Sequence, residues 1–195
     1  MKSEIEAKFL FINEQDIRTI LKKAGGELET PMRKLRRVIY EPEYLKEKSG
    51  YLRLRDQGDK STLTLKIFRQ LSLDGAQELE IEVSDFSNTY ELLELLGLEA
   101  KSFQESKRET WLLDDCEIVI DEWPWLKPYI EIEGPSKKSV MAAASKLNLN
   151  WSEAVFGDVM AAYRKQYPHL TLKDTIANIP EVRFGDEPPE LLRKG

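Results

Sequence analysis

Apolar and polar residues alternate along much of the first two-thirds of the chain. Residues 4–10, EIEAKFL, put Ile5, Ala7 and Phe9 on one side and Glu4, Glu6 and Lys8 on the other. A period of two marks a strand with one buried face. The alternation returns in YLRLRD, TLTLK, ELEIEV, EIVID and YIEIEG. The pattern predicts eight strands, at about 2–12, 33–41, 50–56, 61–69, 76–84, 102–113, 116–122 and 128–134. The turn-forming segments KEKSG, DQGDK, LDG and LDD join several of them, which predicts antiparallel pairing, mostly by hairpins. Four amphipathic helices are predicted at 13–24, 85–96, 136–147 and 152–166, with Asn13, Asp85, Ser136 and Ser152 as candidate caps. The tail, rich in Pro, Asp and Glu, reads as an extended arm with a turn or two of helix, packed through Ile176, Ile179, Val182 and Phe184. The expected organisation is one domain over 1–167 and an arm over 168–195.

The polar faces of these strands are sorted by sign. Glu78, Glu80 and Glu82 share one face of ELEIEV, Glu131 and Glu133 one face of YIEIEG, and Arg53 and Arg55 one face of YLRLRD. Glu117 and Asp121 face together in EIVID, and Thr62, Thr64 and Lys66 do so in TLTLK. A solvated sheet face would mix its charges, because like charges directly opposite one another cost stability. The Leu, Ile and Val faces are needed to receive the helices, so the charged faces must point away from them. The expected fold class is therefore α+β: a closed eight-stranded antiparallel β-barrel, a tunnel, with helices packed outside. Its charged lumen must be wet and filled by a ligand, since unpaired buried charge is costly. Clustered carboxylates without His or Cys suit Mg²⁺ or Mn²⁺, and clustered Arg and Lys suit phosphate.

Composition narrows the function classes. A net charge of −6 argues against a general nucleic-acid binder. The single cysteine, Cys116, falls in an apolar-facing register and allows no internal disulfide. No signal peptide is read at the N-terminus, and no apolar run approaches the ~20 residues that cross a bilayer. The expected setting is cytoplasmic, with no membrane or nucleic-acid partner and a monomer or homodimer. His169 is the only histidine and follows Pro168 at a helix end, so a Ser-His-Asp arrangement has no second candidate. No glycine-rich phosphate loop is present. Trp123 and Trp125 bracket Pro124 in a hairpin-like connection; packing is the plainer role, stacking on a base the alternative.

EIEAK, YLRLRD, TLTLK, ELEIEV, KRETW, VIDEW and YIEIEGP occur in that order over residues 4–135. In this the chain resembles the CYTH superfamily, the triphosphate tunnel metalloenzymes, whose hallmark is Glu-x-Glu-x-Lys near the N-terminus. The resemblance implies a metal-dependent enzyme acting on a triphosphate-containing small molecule. It implies inorganic triphosphatase first, with class IV adenylyl cyclase and thiamine or nucleoside triphosphatase as alternatives; outside catalysis, a polyphosphate or nucleotide binding module is the competing reading. It implies Glu4, Glu6, Glu78, Glu80, Asp121, Glu131 and Glu133 as metal ligands for Mg or Mn, two ions in all. Lys8, Arg53, Arg55, Lys66 and Arg108 become phosphate ligands, and Glu4, Glu6, Lys8 and Asp121 the catalytic set. Two departures stand out. Ser106 falls where the family often has a lysine, and the second strand, RKLRRVIY, offers Lys34, Arg36 and Arg37 as inward candidates.

Overall fold

A computed structural model of the chain describes residues 2–3, 5–68 and 76–193, with side chains from residue 5 onward. Glu4 and the LDG turn at 73–75 lie outside the described residues. The elements run β1 (Lys2–Ser3), β2 (Glu6–Leu10), α1 (Glu14–Lys23), β3 (Glu27–Tyr40), α2 (Glu43–Lys46), β4 (Gly50–Asp56), β5 (Ser61–Phe68) and β6 (Ala76–Val83). They continue with α3 (Phe86–Leu95), β7 (Ser102–Leu113), β8 (Cys116–Trp123), β9 (Leu126–Glu133), α4 (Lys137–Lys146), α5 (Val159–Gln166), β10 (Glu181–Val182) and α6 (Glu190–Arg193). No helix among the described residues is long and apolar enough to cross a membrane.

The strands form one antiparallel sheet in the order β1-β6-β5-β4-β3-β7-β8-β9-β2, with β10 added in parallel on β7. The sheet is α+β in class, but it is curled and open, not the closed barrel the alternation predicts. Closure would need a ladder between β2 and β6. Instead the N-terminal stretch is divided: Lys2 and Ser3 pair with β6, while Glu6–Leu10 pair with β9. The other edge of β2 is already occupied. Lys8 donates its backbone N–H to the Val155 carbonyl and accepts the Val155 N–H, both at 2.9 Å.

The helices cover the outer, apolar face only in part. α1 and α4 sit on Ala7, Ile118, Ile120, Ile130 and Ile132, and Asn13 and Ser136 cap them as expected. α3 brings Leu93 to Val38, Tyr40 and Leu54. Leu79 and Ile81 of β6 remain more than half exposed. The helix predicted over 152–166 is broken. A 3-10 turn at Trp151–Glu153 is followed by the extended Val155 that edges β2 and by Gly157 at φ +105°, and α5 begins only after the Asp158 cap. That break frees α5 to pack elsewhere. Together with the arm it forms a second core around Trp123, Tyr129, Met160, Tyr163, Ile176 and Val182. β3 starts at Glu27, well before the predicted 33, because bulges between Leu28 and Arg33 hide its alternation.

Candidate functional site

The concave face of the curled sheet encloses a cavity of about 890 Å³. Alternation on β2 to β9 aims one residue in two at it, and this is why it is charged. Glu6, Lys8, Arg37, Arg53, Arg55, Lys66 and Asp121 are all at most 7% exposed. Registers then decide which charges meet.

On β2 and β9, Lys8 donates to Glu6 Oε1 at 2.8 Å and lies 3.0 Å from Glu131 Oε2. Burial works against the Lys8 charge, yet Glu131 and Glu6 outweigh it and raise its pKa. In turn Glu131 is held far below the usual carboxylate range: burial opposes this, and Lys8 and Arg108 prevail. On β7 and β8, Arg108 clamps Asp121 through two bonds, Nε to Oδ1 at 2.7 Å and Nη2 to Oδ2 at 2.6 Å. Tyr129 donates to the same Oδ2 at 3.2 Å. On β4, β5 and β6, Arg53 Nη2 lies 3.4 Å from both Glu78 and Glu80. Thr64 donates to Glu80 at 2.6 Å, and Lys66 lies 3.5 Å from Glu78.

Two cations are placed differently. Arg37 on β3 and Arg55 on β4 are directly opposite one another, and neither makes an ion pair among the described residues. The Nε of each is buried without a hydrogen-bond partner. Arg37 donates through Nη2 to Ser106 Oγ at 3.0 Å and lies 4.3 Å over the Trp123 ring. Burial, with Arg53 and Arg108 nearby, lowers the Arg37 pKa to about 10. Burial and then Arg53, Arg37 and Arg108 likewise depress Arg55. An uncompensated buried charge costs about 3–5 kcal/mol. This pair is therefore a standing demand for an anion.

The acidic side sets like charges opposite one another. Glu6 is directly opposite Glu133, and Glu133 directly opposite Glu117, across β2, β9 and β8. Burial, together with Glu29 and Glu131, raises the Glu117 carboxyl above its ordinary value. Of the seven carboxylates implied as metal ligands, Glu78, Glu80 and Asp121 are engaged by Arg53, Lys66, Thr64, Arg108 and Tyr129. Glu4 is outside the described residues. Glu6 and Glu131 share Lys8; with Glu133, their hard oxygen donors fit Mg²⁺ or Mn²⁺ in type. Among the described residues no group of three acidic side chains is drawn together closely enough to hold an ion, since Lys8 sits between Glu6 and Glu131.

The structure thus brings Glu6, Lys8, Arg53, Arg55, Lys66, Glu78, Glu80, Arg108, Asp121, Glu131 and Glu133 to one cavity. It settles the second strand: Arg37 points in, Arg36 pairs outward with Asp56, and Lys34 with Glu105. Sequence reasoning gave no role to Thr64, Tyr129 or Gln104, and left Glu117 on the charged face without one. The signal for Glu117 was its place opposite Glu133, legible only once the register is known. Nor was the arm expected at the site. Asp158, Val159 and Met160 before and on α5, and Thr175, Ile176 and Ala177 of the arm, line the cavity beside Trp123. Cys116 is a core residue as expected, and His169 is exposed.

The pattern described as the CYTH domain matches residues 2–155. No curated protein matches the chain. Among solved structures, the chain is similar to the PH1012 protein of Pyrococcus horikoshii OT3, with 23% identity and a TM-score of 0.66 over 77% of this chain and 93% of that one. It is also similar to a putative adenylate cyclase from Vibrio parahaemolyticus, with 14% identity and a TM-score of 0.70 over 82% and 96%. A third is a putative adenylyl cyclase from Hippeastrum described as having a dominant triphosphatase activity, with 16% identity and a TM-score of 0.56 over 84% and 96%. At these identities the likeness is one of fold.

Proposed function

Because the chain belongs to the CYTH domain family, we propose that it is a triphosphatase, hydrolysing the terminal phosphoanhydride bond of a triphosphate group, with tripolyphosphate as the minimal substrate. One observation carries this reading: among the described residues Arg37 and Arg55 are buried charges without a carboxylate in ion-pair range, directly opposite one another in the cavity wall. A polyphosphate would neutralise both. The Hippeastrum protein offers support at the level of fold.

In the proposed arrangement Arg37 and Arg55 bind the phosphate chain from the β3–β4 wall, with Arg53 beside them, while Lys8 and Arg108 keep their ion pairs and shape the opposite wall. Donors held in place by the fold stabilise the charge that develops on the transferred group, each worth about 2.7–4 kcal/mol of barrier. Both oxygens of Asp121 are taken by Arg108 and Tyr129, so its role is to fix Arg108. The proton of the attacking water is assigned instead to Glu117, whose carboxyl burial holds above its ordinary value. A divalent ion brought in with the triphosphate would supply polarisation of a phosphate oxygen, and Glu6, Glu131 and Glu133 are the residues that would hold it. The products are orthophosphate and a chain one phosphate shorter.

The test is a product assay with tripolyphosphate and ATP, with Mg²⁺ or Mn²⁺ and with neither. Orthophosphate released from tripolyphosphate only with the metal, and lost in Arg55→Met, is the expected result. Cyclic AMP and pyrophosphate from ATP, with tripolyphosphate left intact, would show a cyclase instead.

A further inference from the structure

The outer face of the sheet is covered unevenly. α3 lies over β4, with Phe86, Tyr90 and Leu93 packed among Val38, Tyr40 and Leu54. On β6, two strands away, Leu79 and Ile81 are left more than half exposed. Neighbouring strands are about 4.8 Å apart, so β6 lies about 10 Å from β4, and packed helices lie about 8–10 Å apart. Room for one more helix is therefore left beside α3, with Leu79 and Ile81 as its floor.

The flank of α3 beside that space is apolar too. α3 joins β6 to β7, which run parallel, because the pairings through β5, β4 and β3 are all antiparallel. Such connections cross over in a right-handed sense, and this turns the side of α3 that carries Leu92 and Leu96 toward β6. Leu95 forms the crest beside them. Leu95 and Leu96 are 79% and 69% exposed. Ile81 is directly opposite Leu63, which belongs to the cluster under α3, so floor and wall are continuous. Single exposed leucines are ordinary; a patch built by two consecutive elements marks a protein contact.

Charge selects the partner. Residues 76–100 hold seven acidic side chains and no Lys, Arg or His. The chain carries −6 in all, so this segment at −7 leaves +1 for the rest. Glu78 and Glu80 are engaged by Arg53. Glu82, Glu91 and Glu99 are exposed and make no ion pair among the described residues. α1, α4 and α5 each carry Lys or Arg in the last turn, where the helix dipole favours a cation, and α3 carries none. A second copy of the chain would set two such acidic segments face to face, and an anionic membrane would be repelled in the same way.

We infer that the trough between α3 and β6 docks a cationic amphipathic helix of another protein. Its apolar stripe covers Leu79, Ile81, Leu92 and Leu96, and its Lys and Arg side chains answer Glu82, Glu99 and the C-terminal end of α3. The surface carries none of the groups assigned to the reaction.

The probe is a fluorescent amphipathic peptide of Leu and Lys, about 18 residues long and so able to form a helix, with a Leu/Glu peptide of the same pattern as control. Binding is read by anisotropy, and the protein alone by sedimentation velocity. The Leu/Lys peptide should bind a monomeric protein, more weakly as salt is raised, and the Leu/Glu peptide should not bind. Leu96→Ser, and Ile81→Thr, which keeps a β-branched residue on the strand, should each raise the Kd about tenfold, the loss of one buried apolar side chain. Glu82→Lys/Glu99→Lys should weaken binding and flatten its salt dependence. Met141→Ser, on the exposed side of α4, should leave the Kd within a factor of about two. Failure of the Leu/Lys peptide to bind overturns the inference, as does equal binding of the Leu/Glu peptide or an equal loss in Met141→Ser. Self-association of the protein that Leu96→Ser abolishes would give the trough to a second copy and overturn it too.

Discussion

Lys8 and Arg55 are both buried cations on the same curled sheet, in opposite situations. Lys8 has two carboxylates within 3.0 Å, and Arg55 has none in ion-pair range among the described residues. The first is a finished part of the fold, and its charge is used to hold β2 against β9. The second is an unfinished one, whose charge raises the free energy of the protein until an anion arrives. The same contrast separates Arg108, clamped on Asp121, from Arg37, stacked on Trp123. A concave charged surface can therefore hold two populations of the same residue type, one structural and one waiting for ligand, and the ion pairs tell them apart.

Removing a matched cation should cost most. Lys8→Met leaves Glu6 and Glu131 buried without their partner, and a loss of about 3–5 kcal/mol is expected in urea unfolding. Removing an unmatched one should do the reverse. In Arg55→Met the free protein is expected to gain about 1–4 kcal/mol, because an apolar side chain replaces an uncompensated charge. A loss of similar size would mean that Arg55 is structurally paired after all.

Acid should act on the matched set. Glu131 is held below its ordinary value, so the stability it contributes is complete above the unfolded carboxylate pKa of about 4.3 and falls as the pH drops below it. Lys8 is held above its ordinary value, so its contribution is complete below about 10.4 and is lost only at higher pH. Thermal melts should show a plateau between these limits and a fall on the acid side, and Lys8→Met should flatten that fall. The smallest effect is expected from Tyr129→Phe. It removes one hydrogen bond to Asp121, worth about 0.5–1.5 kcal/mol, and leaves the Arg108 clamp intact.

The strands and the inward-facing charges were legible because alternation survives wherever a strand has one apolar face. β4, β6 and β7 begin and end within a residue of the positions expected from it. Three things were not legible. Closure depends on which backbone edge Val155 takes, and backbone edges leave no mark on side-chain patterning. The break before α5 comes from Gly157 at φ +105°, in a segment whose helical spacing is otherwise intact. Partner choice among the charges depends on the reach of long side chains across strands. Arg37 finds Ser106 and Trp123, on two further strands, where its sequence neighbours Lys34 and Arg36 find carboxylates outside. The seven expected metal carboxylates were for the same reason indistinguishable from ion-pair partners until registers were known.

The most direct measurement is the unfolding free energy of the unmutated protein and of Arg37→Met/Arg55→Met, each with and without tripolyphosphate. At a ligand concentration about 100 times its Kd, the unmutated protein should gain about 2.7 kcal/mol. The double variant should start at least as stable and gain nothing. An equal gain in both proteins would show that the anion binds elsewhere and that the unmatched guanidiniums are not its site.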